Sequence, residues 1–202
     1  MNIDIQTYRS KDIATEIGIL AEFRLRYFRE FPYLYVGTED GEREHLAEYI
    51  ANPTARLLIA GDVRKIVGVA IGTLLSTEKE ILRQIDEPLR NFGIVPKRFY
   101  HFGEMIFDPE YRHRGIGKRM LEKLKTAGRE QGADRFGFLA VAREPNDVRR
   151  PAGYVDSEVI FRNLGFEKTD IFVTFEWPTI QSSGCVERVS NRLYLWVDGK
   201  MR

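Results

Sequence analysis

The sequence predicts one α/β domain over residues 1–202, a mixed sheet covered by helices. Three observations predict it. Apolar segments at strand spacing and at helical spacing follow one another as β-α-α-β-β-α-β-α-β-α-β-β, about seven strands in all. A chain of 202 residues can bury one sizeable core, and that length favours one domain over two. The composition, 43% hydrophobic and 30% charged, is that of a folded globular protein, with no repeat, low-complexity run or linker.

Taken in order, residues 2–9 alternate through Ile3, Ile5 and Thr7 as a first strand. Ile13, Ile17, Leu20, Phe23, Tyr27 and Phe31 recur at spacings of three and four, the stripe of an amphipathic helix that Pro32 stops. The aromatic loop after it carries Tyr33 and Tyr35, which either pack onto the core or line a substrate mouth. Residues 39–51 read as a shorter helix with Leu46 and Ile50 inward. Residues 56–60 and 66–75 are rich in Leu, Ile and Val, two strands joined by a hairpin turn at 61–65. Ile81, Leu82, Ile85 and Leu89 are at helical spacing, but Pro88 is expected to break that helix, since proline lacks the N–H and crowds the preceding turn. Residues 99–107 form a strand. A helix from about Gly115 to Gln131 turns Ile116, Met120, Leu124 and Ala127 to one face, and Gly132 ends it. Residues 134–142 are a buried strand, and 143–154 a polar loop long enough to suggest a function. A short helix at 155–164 stops at Gly165. Strands at 171–177 and 192–197 close the chain, with a turn at 181–184 between them.

Several classes are disfavoured at this level. A formal net charge of +1 argues against a dedicated nucleic-acid binder. The single cysteine, Cys185, excludes a disulfide framework or a multi-thiolate zinc site. The N-terminus lacks the basic leader and apolar run of a secretory signal, and no segment approaches the roughly 20 apolar residues of a membrane span. A cytoplasmic protein with no membrane partner is expected.

The chemistry concentrates in Tyr100 to Met120. A strand ends at Asp108-Pro109, and a basic loop, Arg112-His113-Arg114-Gly115-Ile116-Gly117-Lys118, leads into a helix. A helix N-terminus gathers unpaired N–H groups and the positive end of the macrodipole, so such a loop suits an anion. The dinucleotide fingerprint fails because its third glycine would fall at Met120, and the P-loop fails because Lys118 is followed by Arg119. The string Asp108-Pro109-x-Tyr111-Arg112-x-x-Gly115-x-Gly117, with Met120-Leu121 entering the helix, resembles the acyl-CoA signature of the GNAT superfamily of N-acetyltransferases. Ile160-Phe161-Arg162-Asn163-Leu164-Gly165-Phe166 is similar to that family's later helix-then-Gly-Phe motif. The resemblance covers roughly residues 55–200.

The resemblance implies a GNAT-like, mostly antiparallel sheet with splayed central strands, and acetyl-CoA as co-substrate without a metal. The CoA pyrophosphate would sit on backbone N–H groups of the loop from Arg112, His113, Arg114, Gly115 and Ile116 to Gly117 and Lys118. Its pantetheine arm would run beside Met105, Ile106 and Phe107, with Asn146 and Phe161 also on the cofactor's side. Attack by a neutral amine needs a general base. His101 and Glu104 on the strand are the candidates, and their opposite parity puts them on opposite faces unless a bulge intervenes. The resemblance puts the family's general-acid tyrosine at Phe161, which cannot donate a proton, so Tyr154, water or another tyrosine must serve, or the thiolate leaves unprotonated. The acceptor would meet Glu30, Tyr33 and Tyr35 from the early loop and Arg143 and Tyr154 from the late one. The partner expected is a small-molecule or peptide amine, with homodimerisation left open. A catalytically weak acyl-CoA sensor is the competing reading, motivated by Phe161.

Overall fold

The computed structural model describes residues 3–9 and 11–199. Its strands are β1 (Asp4–Arg9), β2 (Arg56–Gly61), β3 (Ile66–Leu74), β4 (Phe99–Phe107), β5 (Arg135–Val141), β6 (Phe166–Ile180) and β7 (Val186–Asp198). They form one seven-stranded sheet in the order β1-β2-β3-β4-β5-β7-β6. Only β4 and β5 pair in parallel; the other neighbours are antiparallel. The helices are α1 (Lys11–Tyr27), α2 (Glu39–Ala51), α3 (Lys79–Asn91), α4 (Ile116–Arg129) and α5 (Ser157–Asn163). No described helix is long and apolar enough to cross a membrane.

Strand parity divides the core between the two faces of the sheet. On one face α1 and α2 bury Ile13, Leu20, Phe23 and Leu46 against Leu57, Ile59, Val69 and Ile71. On the other, α4 buries Met120, Leu121 and Leu124 against Leu58, Ala60, Ala70, Tyr100 and Phe102. α3 packs Ile81, Ile85 and Leu89 onto Phe99, Leu139, Leu195 and Val197. Strands buried on both faces read as unbroken apolar runs, as Leu57 to Ala60 do.

Several elements differ from the sequence-based expectation. The expected first strand began at residue 2, which lies outside the described residues; the strand itself starts at Asp4. α1 ends at Tyr27 rather than running to Phe31, because Phe31 precedes a proline and is kept out of the helical region. The released chain folds back, with Phe28 stacked on Tyr33 at 4.1 Å. In α2 the inward stripe is Glu42, Leu46 and Tyr49, and Ile50 faces out at 37% exposure. α3 is not broken by Pro88. The proline lies in its last turn, where one intrahelical bond is lost, while Ile85 and Leu89 stay buried on either side. The Gln84 side chain also ties the helix to the Thr174 backbone in both directions, at 2.8 and 3.2 Å. β6 and β7 run well beyond 171–177 and 192–197, since ladder hydrogen bonds hold polar stretches that carry no apolar alternation.

Two features of β4 shape the site. Its ladder with β3 pairs Ile71 with Glu104 and Gly72 with Phe102, leaving Gly103 as an extra residue. This bulge puts His101 and Glu104 on the same face, toward α1 and α2, not on opposite ones. A Cβ at Gly103 would lie 2.4 Å from the Tyr49 hydroxyl, so any larger residue there must displace the Tyr49 side chain. The second feature is the ladder with β5, which pairs Phe99 with Arg135, Tyr100 with Phe136 and His101 with Gly137, and then stops. Past it the strands separate, as expected for splayed central strands.

Gly103→Ala should destabilise the protein by about 1–3 kcal/mol, as overpacking does. Gly18→Ala, which meets nothing within 4 Å in α1, should instead be neutral or stabilising by about 0.4–1 kcal/mol. Urea denaturation of both variants would check the contrast.

Candidate active site

β4 leads straight into the basic loop. Asp108, nearly buried, caps the turn at Pro109–Tyr111 by accepting from the Glu110 N–H at 3.0 Å, and pairs with Lys65 at 2.7 Å. The chain then takes left-handed conformations at His113 and Gly115, with φ of 59° and 76°, before α4 begins. Among the described residues, the backbone N–H groups from His113 to Lys118 have no hydrogen-bond partner. The side chains of Arg112, His113, Arg114 and Lys118 are exposed, whereas Ile116 is buried and anchors the loop to the core. Unpaired N–H groups, a helix N-terminus and surrounding cations together favour a phosphate-bearing ligand.

The loop opens onto the gap in the sheet. From Phe102 to Phe107, β4 pairs only with β3, and from Phe138 to Val141, β5 pairs only with β7. Their facing edges leave backbone donors and acceptors free for an extended ligand. Met105 and Phe107 pack toward α4 and Ile106 toward α1, so none of the three blocks the gap from its centre. At its far end a cavity is bounded by Phe31, Pro32, Ala142, Arg143, Tyr154 and Phe161.

Beside the gap lies a buried charge cluster. The Arg24 guanidinium donates from Nε to Glu42 and from Nη1 to Glu104, and stacks over the Phe28 and Tyr35 rings. Tyr35 donates its hydroxyl to Glu42 at 2.7 Å, and its phenol pKa is pushed up to about 12 by burial and that bond. Burial alone would raise the Glu104 carboxyl, but Arg24 and His45 hold it below the usual glutamate value. The His45 Nε2 atom is 3.7 Å from Glu104. His101 Nδ1 faces Glu78 at 3.4 Å, and Glu78 also accepts from Thr73 at 3.1 Å. Burial opposes the Glu78 charge too, yet His101 and Thr73 keep its pKa low. Burial, then Glu78 and Glu104, push the Tyr49 phenol well up.

The residues singled out from sequence fall into three groups. His101 and Glu104 come together on one face. Arg112 reaches across the loop, 3.8 Å from Glu30, so Glu30 stands at the loop's end of the gap. Arg143, Tyr154 and Phe161 gather round the far cavity, whereas Tyr33 does not line it. Arg143 clamps the early loop by donating to the Pro32 and Tyr33 carbonyls at 2.7 and 3.0 Å. Tyr33 is pushed up to about 12 by burial and then by Glu104. Tyr154 meets the Phe31 ring edge-on at 4.8 Å, and its hydroxyl is 3.5 Å from Ser157 Oγ. Phe161 packs between Phe138 and Trp196. Asn146 is exposed on the late loop and does not enter this group.

Arg24, Glu42, Tyr49 and Glu78 escape the sequence reading. A signal existed for two of them. Arg24 falls four residues after Leu20 and four before Phe28, and Glu42 four before Leu46, each a single charge on an apolar stripe. Glu78 follows a turn and carries no such mark.

The acetyltransferase (GNAT) family model matches residues 20–151, which include the basic loop but not the later motif at 160–166. No curated protein matches closely enough to count as a relative. Similar solved structures include an acetyltransferase from Thermus thermophilus, at 15% identity and TM-score 0.55 over 98% of this chain and 96% of that one. The ribosomal-protein-S18-alanine N-acetyltransferase from Escherichia coli matches at 13% and 0.54, over 98% and 93%. The PaiA N-acetyltransferase from Thermoplasma acidophilum, in complex with coenzyme A, matches at 14% and 0.53, over 99% and 100%. At such identities the likeness is one of fold: a mixed, mostly antiparallel sheet flanked by helices.

Arg24→Met should destabilise the protein by about 3–5 kcal/mol, because it strands two buried carboxylates. Glu78 and Glu104 titrate lower when folded than the free glutamate value of about 4.3. Their contribution to stability is therefore complete above that pH and lost as the pH falls through the lower folded values. Urea denaturation between neutral and acid pH should show this loss, and Glu104→Gln should flatten it.

Proposed function

The chain belongs to the acetyltransferase (GNAT) family, and on that premise we propose that it transfers an acetyl group from acetyl-CoA to a primary amine by direct attack. One observation carries the reading: the unpartnered N–H groups of residues 113–118 open directly onto the gap where the β4–β5 ladder stops. A phosphate end and an extended amide-bearing arm fit those two features in sequence. The presence of coenzyme A in the Thermoplasma acidophilum protein of the same fold supports it.

When bound, acetyl-CoA supplies a thioester carbonyl for the amine to attack. The chain's own groups do the rest. Free backbone N–H groups on the Met105 side of β4 suit the oxygen on which negative charge develops. Glu104 has a buried Oε2 with no partner, and is the group we assign to take the amine proton. Arg24 keeps it ionised, which favours binding a cationic amine but weakens it as a base. Phe161 holds no proton to give, and Tyr154 in the same cavity offers a hydroxyl for the departing thiolate. Acid help is not essential, since a thiol of pKa about 8.5 leaves readily. Arg143 and Tyr154 wall the acceptor end, with Tyr33 held behind it by Arg143, which suits a small-molecule or peptide amine.

Calorimetry should detect CoA binding, and a panel of amines should drive thiol release from acetyl-CoA. Binding without release across the panel would favour the sensor reading, to which Phe161 lends some support. Glu104→Gln and His101→Ala should each cut turnover, Glu104→Gln by about 10²–10⁴-fold, while CoA affinity persists. Full rates for both variants at every pH would show that the base lies elsewhere.

A further inference from the structure

His101 is buried and Glu78 half-buried beside the site, and the transfer step as described gives Glu78 no role and leaves the contribution of His101 without a mechanism. The Gly103 bulge brings His101 and Glu104 into register as neighbours on one face, opposite Thr73 and Ile71, with Cα atoms about 7 Å apart. Each offers one buried polar atom without a partner, His101 Nε2 and Glu104 Oε2. Unpartnered buried polar atoms on neighbouring residues of one strand face are the ordinary setting for a bridging water. Tyr49 closes the space from α2, its hydroxyl against the bulge.

Charge in this pocket is unbalanced. Arg24 faces Glu42 and Glu104 directly, and Glu78 adds a third, half-buried carboxylate. The groups facing His101 are Thr73 from β3, Glu78 from the turn before α3, Tyr49 from α2 and Glu104 on its own strand. Arg24 and His45 stand behind Glu104. A second positive charge on His101 would offset the excess. With Nδ1–H donated to Glu78, the buried Nε2 is left with an unpartnered lone pair.

We propose that Glu78 and His101 form a dyad that accepts, through one bridging water, the proton Glu104 takes from the acceptor amine. The amine N–H bond breaks as an O–H bond forms on Glu104 Oε2. Glu104 passes that proton to the water, and the water gives one of its own to His101 Nε2. Glu104 is left anionic, and the imidazolium is held by the Glu78 carboxylate. Glu78 is then a positioning residue, acting through His101. The inference rests on the transferase reading for its use, but the link among the three side chains exists without substrate.

That separation sets the test. The chain has only three histidines, so ¹⁵N NMR of histidine-labelled protein can be assigned with His45→Gln and His113→Gln. His101 should appear as the Nδ1–H tautomer, and its titration midpoint should fall in Glu78→Gln and also in Glu104→Gln. Unchanged titration in Glu104→Gln, or an Nε2–H tautomer, would overturn the relay. If Glu78→Gln fails to fold, Glu78→Asp should lower the midpoint by a smaller amount, and no change there would equally refute it. With an active amine in hand, Glu78→Gln should move the acid limb of the kcat profile to lower pH. A merely structural role would lower the rate and leave the limb in place. The NMR readout needs neither CoA nor acceptor, so failure of CoA binding would sink the transferase reading alone.

Discussion

β4 hydrogen-bonds to β3 along its length but to β5 only as far as His101, and it carries its extra residue, Gly103, immediately past that point. A bulge bends its strand and increases the local twist. Here it coincides with the parting of the central strands. One irregularity therefore accompanies both a free backbone edge and a change of facing for every later side chain of the strand. Glu104 and Ile106 turn toward α1 and α2, Met105 and Phe107 toward α4. The basic loop follows at the strand's end and faces the opening so made.

The charge cluster depends on that facing. Without the extra residue, Glu104 would point toward α4 and could not reach Arg24. With it, one guanidinium serves two carboxylates, while the aromatic rings of Phe28 and Tyr35 shield it from solvent. A buried ion pair of this kind is poor evidence of stability, because desolvation offsets much of the attraction. Its value lies in holding Glu104 ionised and oriented beside the gap. The aromatic loop contributes as well. Tyr33 and Tyr35 pack onto the core, yet Tyr35 also bonds Glu42 and the Tyr33 carbonyl accepts from Arg143, which lines the cavity.

The path of the chain was legible where side-chain periodicity is the cause of the structure. The stripes of α1 and α4, the apolar runs of β2 and β3, and the strand Phe99–Phe107 show this. It was less legible where neighbours decide. Pro88 stays helical because Ile85, Leu89 and the Gln84–Thr174 bonds hold the turn. Ile50 yields its inward place to Tyr49, whose ring fills the space that Gly103 leaves. The outer halves of β6 and β7 form through backbone pairing and the buried Asn191–Thr179 side-chain bond, and a bridge from Tyr35 to Thr179 joins them to the early loop. None of these causes is local in sequence.

The cofactor-loop motif could be read from the residues alone, because its glycines, basic residues and following helix stripe are contiguous and act through local backbone geometry. The same reading limited the base to His101 and Glu104. How those two relate emerged only on folding, since strand parity is broken by a bulge that depends on Tyr49 and on the register with β3. Arg24, Glu42 and Glu78 likewise come from separate elements, and they meet only when α1, α2 and the start of α3 close over the sheet.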